Sequence, residues 1–92
     1  MRESEIEAYF KWMVAKLGGK SYKFKSVNSR GVADRIAMLS NGDTWFVELK
    51  APGKKLAPLQ EDFRDDCLAL KQRWVYLTTK QEIEQWAGCI AK

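Results

Sequence analysis

The stretch that most limits how this chain can fold runs from residue 31 to residue 50. Gly31-Val32-Ala33-Asp34-Arg35-Ile36 and Trp45-Phe46-Val47-Glu48-Leu49-Lys50 flank a turn at Ser40-Asn41-Gly42-Asp43. The two flanks read as neighbouring strands of one hairpin. Strand side chains alternate between faces, so Glu48 and Lys50 share a face about 7 Å apart while Leu49 points the other way. What Asp34 meets depends on the turn. A two-residue Asn-Gly turn pairs Ser40 with Asp43 and sets Asp34 opposite Leu49, on the wrong face. A three-residue loop, Ser40-Asn41-Gly42 with Gly42 left-handed, pairs Leu39 with Asp43 and sets Asp34 opposite Glu48. We expect the second register, with the two Cα atoms about 4.5–5.5 Å apart.

In that register two carboxylates and an ammonium converge at one sheet edge. Carboxylate oxygens are the hard ligands that Mg²⁺ or Mn²⁺ prefers, and a lysine beside a bound cation can hold a water that attacks phosphorus. The three residues are therefore the minimal equipment of a metal-dependent nuclease. A solubilising strand edge would also explain a lone Glu-x-Lys. Glu48, however, follows Trp45-Phe46-Val47 late in a strand that reads as covered on both faces. An uncompensated carboxylate there would cost several kcal/mol, and a cation is one partner that removes the cost.

The chain has 92 residues, 46% of them hydrophobic, which suits one small domain over residues 1–92 with a single modest core. It has no histidine, which removes His-Asn-His nucleases, histidine-bearing zinc sites and Ser-His-Asp hydrolases. Chemistry near neutral pH must come from carboxylates, lysine or metal-bound water. Cys67 and Cys89 lack metal-ligand spacing and read as reduced packing residues. No run reaches the roughly 18 apolar residues of a membrane span, and the charged start Met1-Arg2-Glu3-Ser4-Glu5 is unlike a signal peptide. We expect an intracellular, cytoplasmic protein without a membrane role.

The coarse order is helix, three strands, helix, strand, helix. Ser4-x-x-Glu7 can form a capping box, and Ile6, Phe10, Met13 and Leu17 form an apolar stripe up to Gly18-Gly19, which predicts a first helix over residues 4–17. Tyr22, Phe24 and Ser26 alternate with Lys23 and Lys25 as a first strand. After the hairpin, Pro58 suits the first position of a helix that turns Leu59, Phe63, Cys67 and Leu70 inward. Residues 73–77 predict a fourth strand, and Thr79-x-x-Glu82 caps a last helix that buries Ile83, Trp86 and Ile90. The fold class is α/β, with a small mixed four-stranded sheet flanked by helices.

Three ordered segments, Gly31-Val32-Ala33-Asp34, Val47-Glu48-Leu49-Lys50-Ala51-Pro52-Gly53-Lys54 and Leu56-Ala57-Pro58-Leu59-Gln60, resemble the virus-type replication-repair nuclease (VRR-NUC) domain of the PD-(D/E)xK superfamily. The resemblance covers nearly the whole chain. Ala33 departs from it, standing where a proline usually precedes the aspartate; that proline shapes backbone and does not ligate metal. The resemblance implies a restriction-endonuclease-like core. It also implies a metal-site glutamate on the first helix, for which Glu7 is the better match and Glu3, one turn earlier, the competitor. Gln60 matches the family's trailing glutamine, which would orient Lys50, the water or a phosphate. The metal set is then Asp34, Glu48, the backbone carbonyl of Leu49 and Glu7, with Mg²⁺ or Mn²⁺ as cofactor and Lys50 positioning the nucleophile.

Charge is uneven along the chain. Residues 11–35 carry Lys11, Lys16, Lys20, Lys23, Lys25, Arg30 and Arg35 against one acid, Asp34, and Lys50, Lys54 and Lys55 form a second cluster. Basic groups flanking the acids suit a phosphate backbone, and Ser26, Arg30, Lys54 and Lys55 are the candidate DNA contacts. Stand-alone relatives in the family imply a bacterial or phage-encoded homodimer that resolves branched DNA, above all four-way (Holliday) junctions. The alternatives are a flap-directed or general DNA endonuclease, and a non-catalytic DNA-binding subunit of a phage replication or repair complex.

Overall fold

A computed structural model describes residues 1–24 and 31–91. Its elements are α1 (Glu3–Lys16), β1 (Lys20–Lys23), β2 (Arg35–Met38), β3 (Thr44–Leu49), α2 (Pro58–Ala69), β4 (Arg73–Leu77) and α3 (Lys80–Ile90). The strands form one mixed sheet in the order β1-β2-β3-β4, antiparallel except for the parallel β3–β4 pair that α2 connects. No helix among the described residues is long and apolar enough to cross a membrane.

Helix α1 starts one residue earlier than the Ser4 box predicts. Arg2 is the extended N-cap, and its amide donates to the Glu5 carboxylate at 3.3 Å, so Ser4 lies inside the first turn. The helix ends where the sequence says it must. Gly18 is left-handed (φ 79°), and the amides of Gly18 and Gly19 return to the carbonyls of Ala15 and Val14, which closes a Schellman motif. Strand β1 is displaced toward the N-terminus of its predicted span. Ser26 lies outside the described residues.

The hairpin has the expected register. Met38 pairs with Thr44, the Leu39 amide donates to the Asp43 carbonyl at 2.9 Å, and Gly42 is left-handed at φ 92°. The Asn41 side chain accepts from the Asp43 amide at 2.9 Å, an Asx turn that favours this loop over the shorter one.

Helices α1 and α3 cover one sheet face. There Ile6, Phe10, Val14, Ala37, Val47, Leu49, Leu77, Ile83 and Trp86 make the core, with the Trp86 ring meeting Phe10 and Trp45 at centroid distances of 5.3 and 5.8 Å. Helix α2 packs on the other face, where Phe63 meets Phe46 edge-on at 5.6 Å and Cys67 is buried. Leu59 and Leu70, expected inward, are 49% and 70% exposed: Leu59 meets Gly31 through its backbone, and Leu70 is the C-cap beyond the last residue of α2. Cys89 is free and exposed rather than packed; Cys67 is free and buried. Thr79 caps α3 by accepting from the Glu82 amide, while the Glu82 carboxylate bonds Thr78 rather than Thr79.

Candidate active site

Alternation along β3 turns Val47 and Leu49 into the α1–α3 core and leaves Glu48 facing α2. Asp34 immediately precedes β2, and one further step of the β2–β3 ladder sets it opposite Glu48. Its backbone is pinned on the other side as well, since the Phe24 amide donates to the Asp34 carbonyl at 2.7 Å. Its carboxylate accepts from the Leu49 amide at 3.4 Å. The two acids predicted to converge do so.

Glu48 is 1% exposed. Its carboxylate accepts from Gln60 Nε2 at 2.7 Å, while Gln60 Oε1 accepts from the Ala57 amide at 2.8 Å. The second bond fixes the amide so that its NH₂ faces Glu48, and it also caps the first turn of α2. Gln60 thus ties the helix N-terminus to the acid. Burial pushes the Glu48 carboxyl up to about 8, reinforced by the charge of Asp34 and a hydrogen bond with it, opposed by Lys50 and slightly aided by Glu3. Without a cation, Glu48 keeps its proton near neutral pH.

Lys50 lies just past the end of β3, half-buried, its amide bonded to the Leu77 carbonyl at 3.2 Å. Its charge favours the ionised form of Glu48. Leu49 puts its side chain in the core (2% exposed) and offers the site only its backbone. Lys54 and Lys55 are exposed on the following loop. The Tyr76 hydroxyl donates to the Lys54 carbonyl, which anchors that loop to β4. Arg30 and Ser26 lie outside the described residues.

The acids of α1 divide. Glu7 is held by Arg35, with Nη1 to Oε1 at 3.0 Å. Arg35 follows Asp34 on β2 and so faces the α1 side, where it is 5% exposed and also reaches Ser21 Oγ at 3.4 Å. The α1 charge that acts on Glu48 is that of Glu3. Among the described residues no three carboxylate, cysteine or histidine side chains gather as a ready-made metal cluster; the assembled unit is the Asp34–Glu48 pair. Two hard carboxylate donors set opposite each other form a donor set that fits a divalent cation of the Mg²⁺ type.

Sequence reasoning missed two residues around this site. Arg35 reads as one more base in a DNA-facing cluster but is a buried partner of Glu7. Tyr76, the parallel-strand neighbour of Glu48, holds the basic loop, and only the β3–β4 pairing could have revealed it. An open apolar groove of about 480 Å³, lined by Trp45, Trp74, Trp86 and Cys89 among others, lies along β4 and α3, and its lining includes neither acid.

No family model matches the chain. Over 60 residues it is 50% identical to a protein named "Putative nuclease p44" from Acyrthosiphon pisum secondary endosymbiont phage 1. The match covers 65% of this chain and 64% of that protein, so the chain spans a little under two thirds of its relative's length. A solved structure described as "VRR_NUC domain" superposes with a TM-score of 0.85 over 90% of both chains at 23% identity. The chain therefore has the VRR-NUC fold, as the ordered motifs implied.

Proposed function

We propose that this VRR-NUC-fold domain is a metal-dependent endonuclease that hydrolyses phosphodiester bonds in branched DNA. The observation that carries the reading is the buried Glu48 set against the half-buried Asp34, with Lys50 two residues on, an arrangement that costs stability unless a cation uses it. The similarity to a phage protein named as a nuclease agrees with it.

Asp34, Glu48 and the carbonyl of Leu49 would hold Mg²⁺ or Mn²⁺. When bound, the ion supplies a polarised phosphate and a water of lowered pKa. Lys50 orients the attacking water and steadies the charge that grows on the phosphoryl oxygens. Gln60 keeps the Glu48 carboxylate turned toward Asp34. Glu3 completes the acidic set from α1, since its charge reaches Glu48, while Glu7 with Arg35 fixes β2 beneath the helix. Lys54 and Lys55 bind the DNA backbone on a loop set by Tyr76, and Ser26 and Arg30, outside the described residues, are further candidate DNA contacts.

Resolution of a four-way junction needs two symmetric cuts, hence a homodimer with two such sites. The test is cleavage of matched duplex, flap, splayed-arm and four-way-junction DNAs with Mg²⁺ or Mn²⁺, with Lys50→Ala as control. Paired nicks at the junction by the wild type and none by the variant are expected. Cleavage of no DNA with either metal would overturn the nuclease reading. Nicking of linear duplex as fast as of branched DNA would overturn the branch preference.

A further inference from the structure

Strand β1 points a stripe of side chains along the sheet face that bears Asp34 and Glu48. Its register with β2 sets Tyr22 opposite Ile36 and Lys20 opposite Met38. Phe24, whose amide bonds Asp34, lies one step further on the same face, beside the acid. Helix α2 covers the β3–β4 half of this face through Phe63 and Gln60. Among the described residues the β1–β2 half stays open, with Tyr22 46% and Met38 45% exposed. Lys20 Nζ sits 5.6 Å from the centroid of the Tyr22 ring.

An aromatic ring, a methionine and a lysine in a row that leads to a pair of acids match what an unpaired nucleic-acid strand needs. The rings stack on bases, and the ammonium meets the phosphates between them. A duplex cannot use this surface, because its bases show one another, not the protein, their faces. Tyr22 and Ile36 lie two residues from the level of Asp34, about 7 Å along the strands. At about 3.4 Å per stacked nucleotide, that is about two nucleotides from the scissile phosphate. We propose that the open β1–β2 face, with Tyr22 as its stacking platform, binds unpaired nucleotides of the substrate strand next to the cut. The proposal rests on the nuclease reading and narrows its substrate to DNA whose strand is open at the branch point, as in a splayed arm, a flap or the opened centre of a junction.

The experiment pairs a protein change with a substrate change. Steady-state cleavage of a splayed-arm DNA is measured for wild type, Tyr22→Ala and Tyr22→Phe. It is repeated on DNAs with single abasic sites one to three nucleotides from the mapped cut. Tyr22→Ala should raise KM about tenfold with kcat nearly unchanged, and Tyr22→Phe should behave as wild type. One abasic site should raise KM for wild type and Tyr22→Phe but leave Tyr22→Ala unaffected. An unchanged KM for Tyr22→Ala, or an abasic penalty that persists in it, overturns the platform while leaving the nuclease reading intact. A shift in sedimentation with no change in KM overturns it in favour of a self-association surface. If the wild type cleaves nothing, the nuclease reading falls, and fluorescence anisotropy with a labelled oligo-dT in EDTA judges the platform alone. There, about tenfold weaker binding by Tyr22→Ala supports it, and equal binding overturns it.

Discussion

Replacing Glu48 with glutamine should stabilise the metal-free protein at neutral pH and at the same time abolish cleavage. The folded carboxyl titrates at about 8 against an ordinary value of 4.5, because it is buried beside Asp34. Below about pH 4.5 the folded and unfolded chains both hold the proton, and no penalty arises. Between these two values the unfolded chain releases the proton and the folded chain keeps it, so stability falls as pH rises, by about 1.4 kcal/mol per unit. At pH 7 the accumulated loss is about 3 kcal/mol, a large share of the stability of a small domain. Glutamine reproduces the protonated acid: its carbonyl accepts from Gln60 Nε2, and its amide donates to Asp34. It removes only the charge.

Thermal melts in EDTA from about pH 5 to about pH 8 read this directly. The wild-type midpoint should fall with pH, whereas that of Glu48→Gln should stay level and lie well above it at pH 7, since 1 kcal/mol shifts a domain of this size by about 4–8 °C. Adding Mg²⁺ or Mn²⁺ should raise the wild-type midpoint and leave that of the variant unmoved. Parallel curves for the two proteins across this range would refute the argument, because they would mean that Glu48 ionises as freely in the fold as outside it.

Asp34→Asn should abolish cleavage yet keep or tighten metal-free DNA binding, measured by anisotropy, because it removes a negative charge close to the phosphate. Gly42→Val should destabilise the hairpin by about 1–3 kcal/mol through its positive φ alone, since a side chain there meets no neighbour, and metal binding should weaken with it in calorimetry. Glu3→Gln should weaken metal binding and lower the pH at which Glu48 titrates, while Glu7→Gln should instead lower the melting temperature by stranding the buried Arg35; the reverse pattern would give the α1 ligand role to Glu7. Gly31→Ala should slow cleavage and destabilise together, because its φ of 85° disfavours a side chain and the new Cβ would run into the Leu59 carbonyl.

The hairpin register was legible because a slip of one residue would have turned Asp34 into the apolar core, and hydrophobic alternation resists that. The fourth strand, Arg73–Leu77, and the Thr79 cap were read correctly from local signals alone. The start of α1 was misread because two boxes compete there. Ser4-x-x-Glu7 is the stronger motif in sequence, but Glu5 reaches back to Arg2, and Glu7 is drawn away by Arg35, 28 residues on. A pairing that distant leaves no trace in local pattern. Leu59 and Leu70 misled for a related reason: helical period says which residues share a face, not how much of that face the sheet covers.

The geometry of the acid pair depends on where α2 begins. Gly31, three residues before Asp34, lies so close to the Leu59 backbone that no side chain fits between them. Gln60, the next residue of that helix, is bonded to Glu48. Two adjacent positions in the first turn of α2 therefore bear on the approach to one acid and on the carboxylate of the other. Pro58 at the helix start suits this task, since its fixed φ presets the turn and its missing amide leaves nothing unsatisfied there. The sheet brings Asp34 and Glu48 to the same level, and although β2 begins only at Arg35, the Phe24 and Leu49 amides hold Asp34 from both sides. Helix α2 adds a restraint from its own layer at Gly31, three residues before the acid. The burial that raises the Glu48 pKa, reinforced by the charge of Asp34, is thereby kept in place, and a cation bound between the two acids would remove that cost.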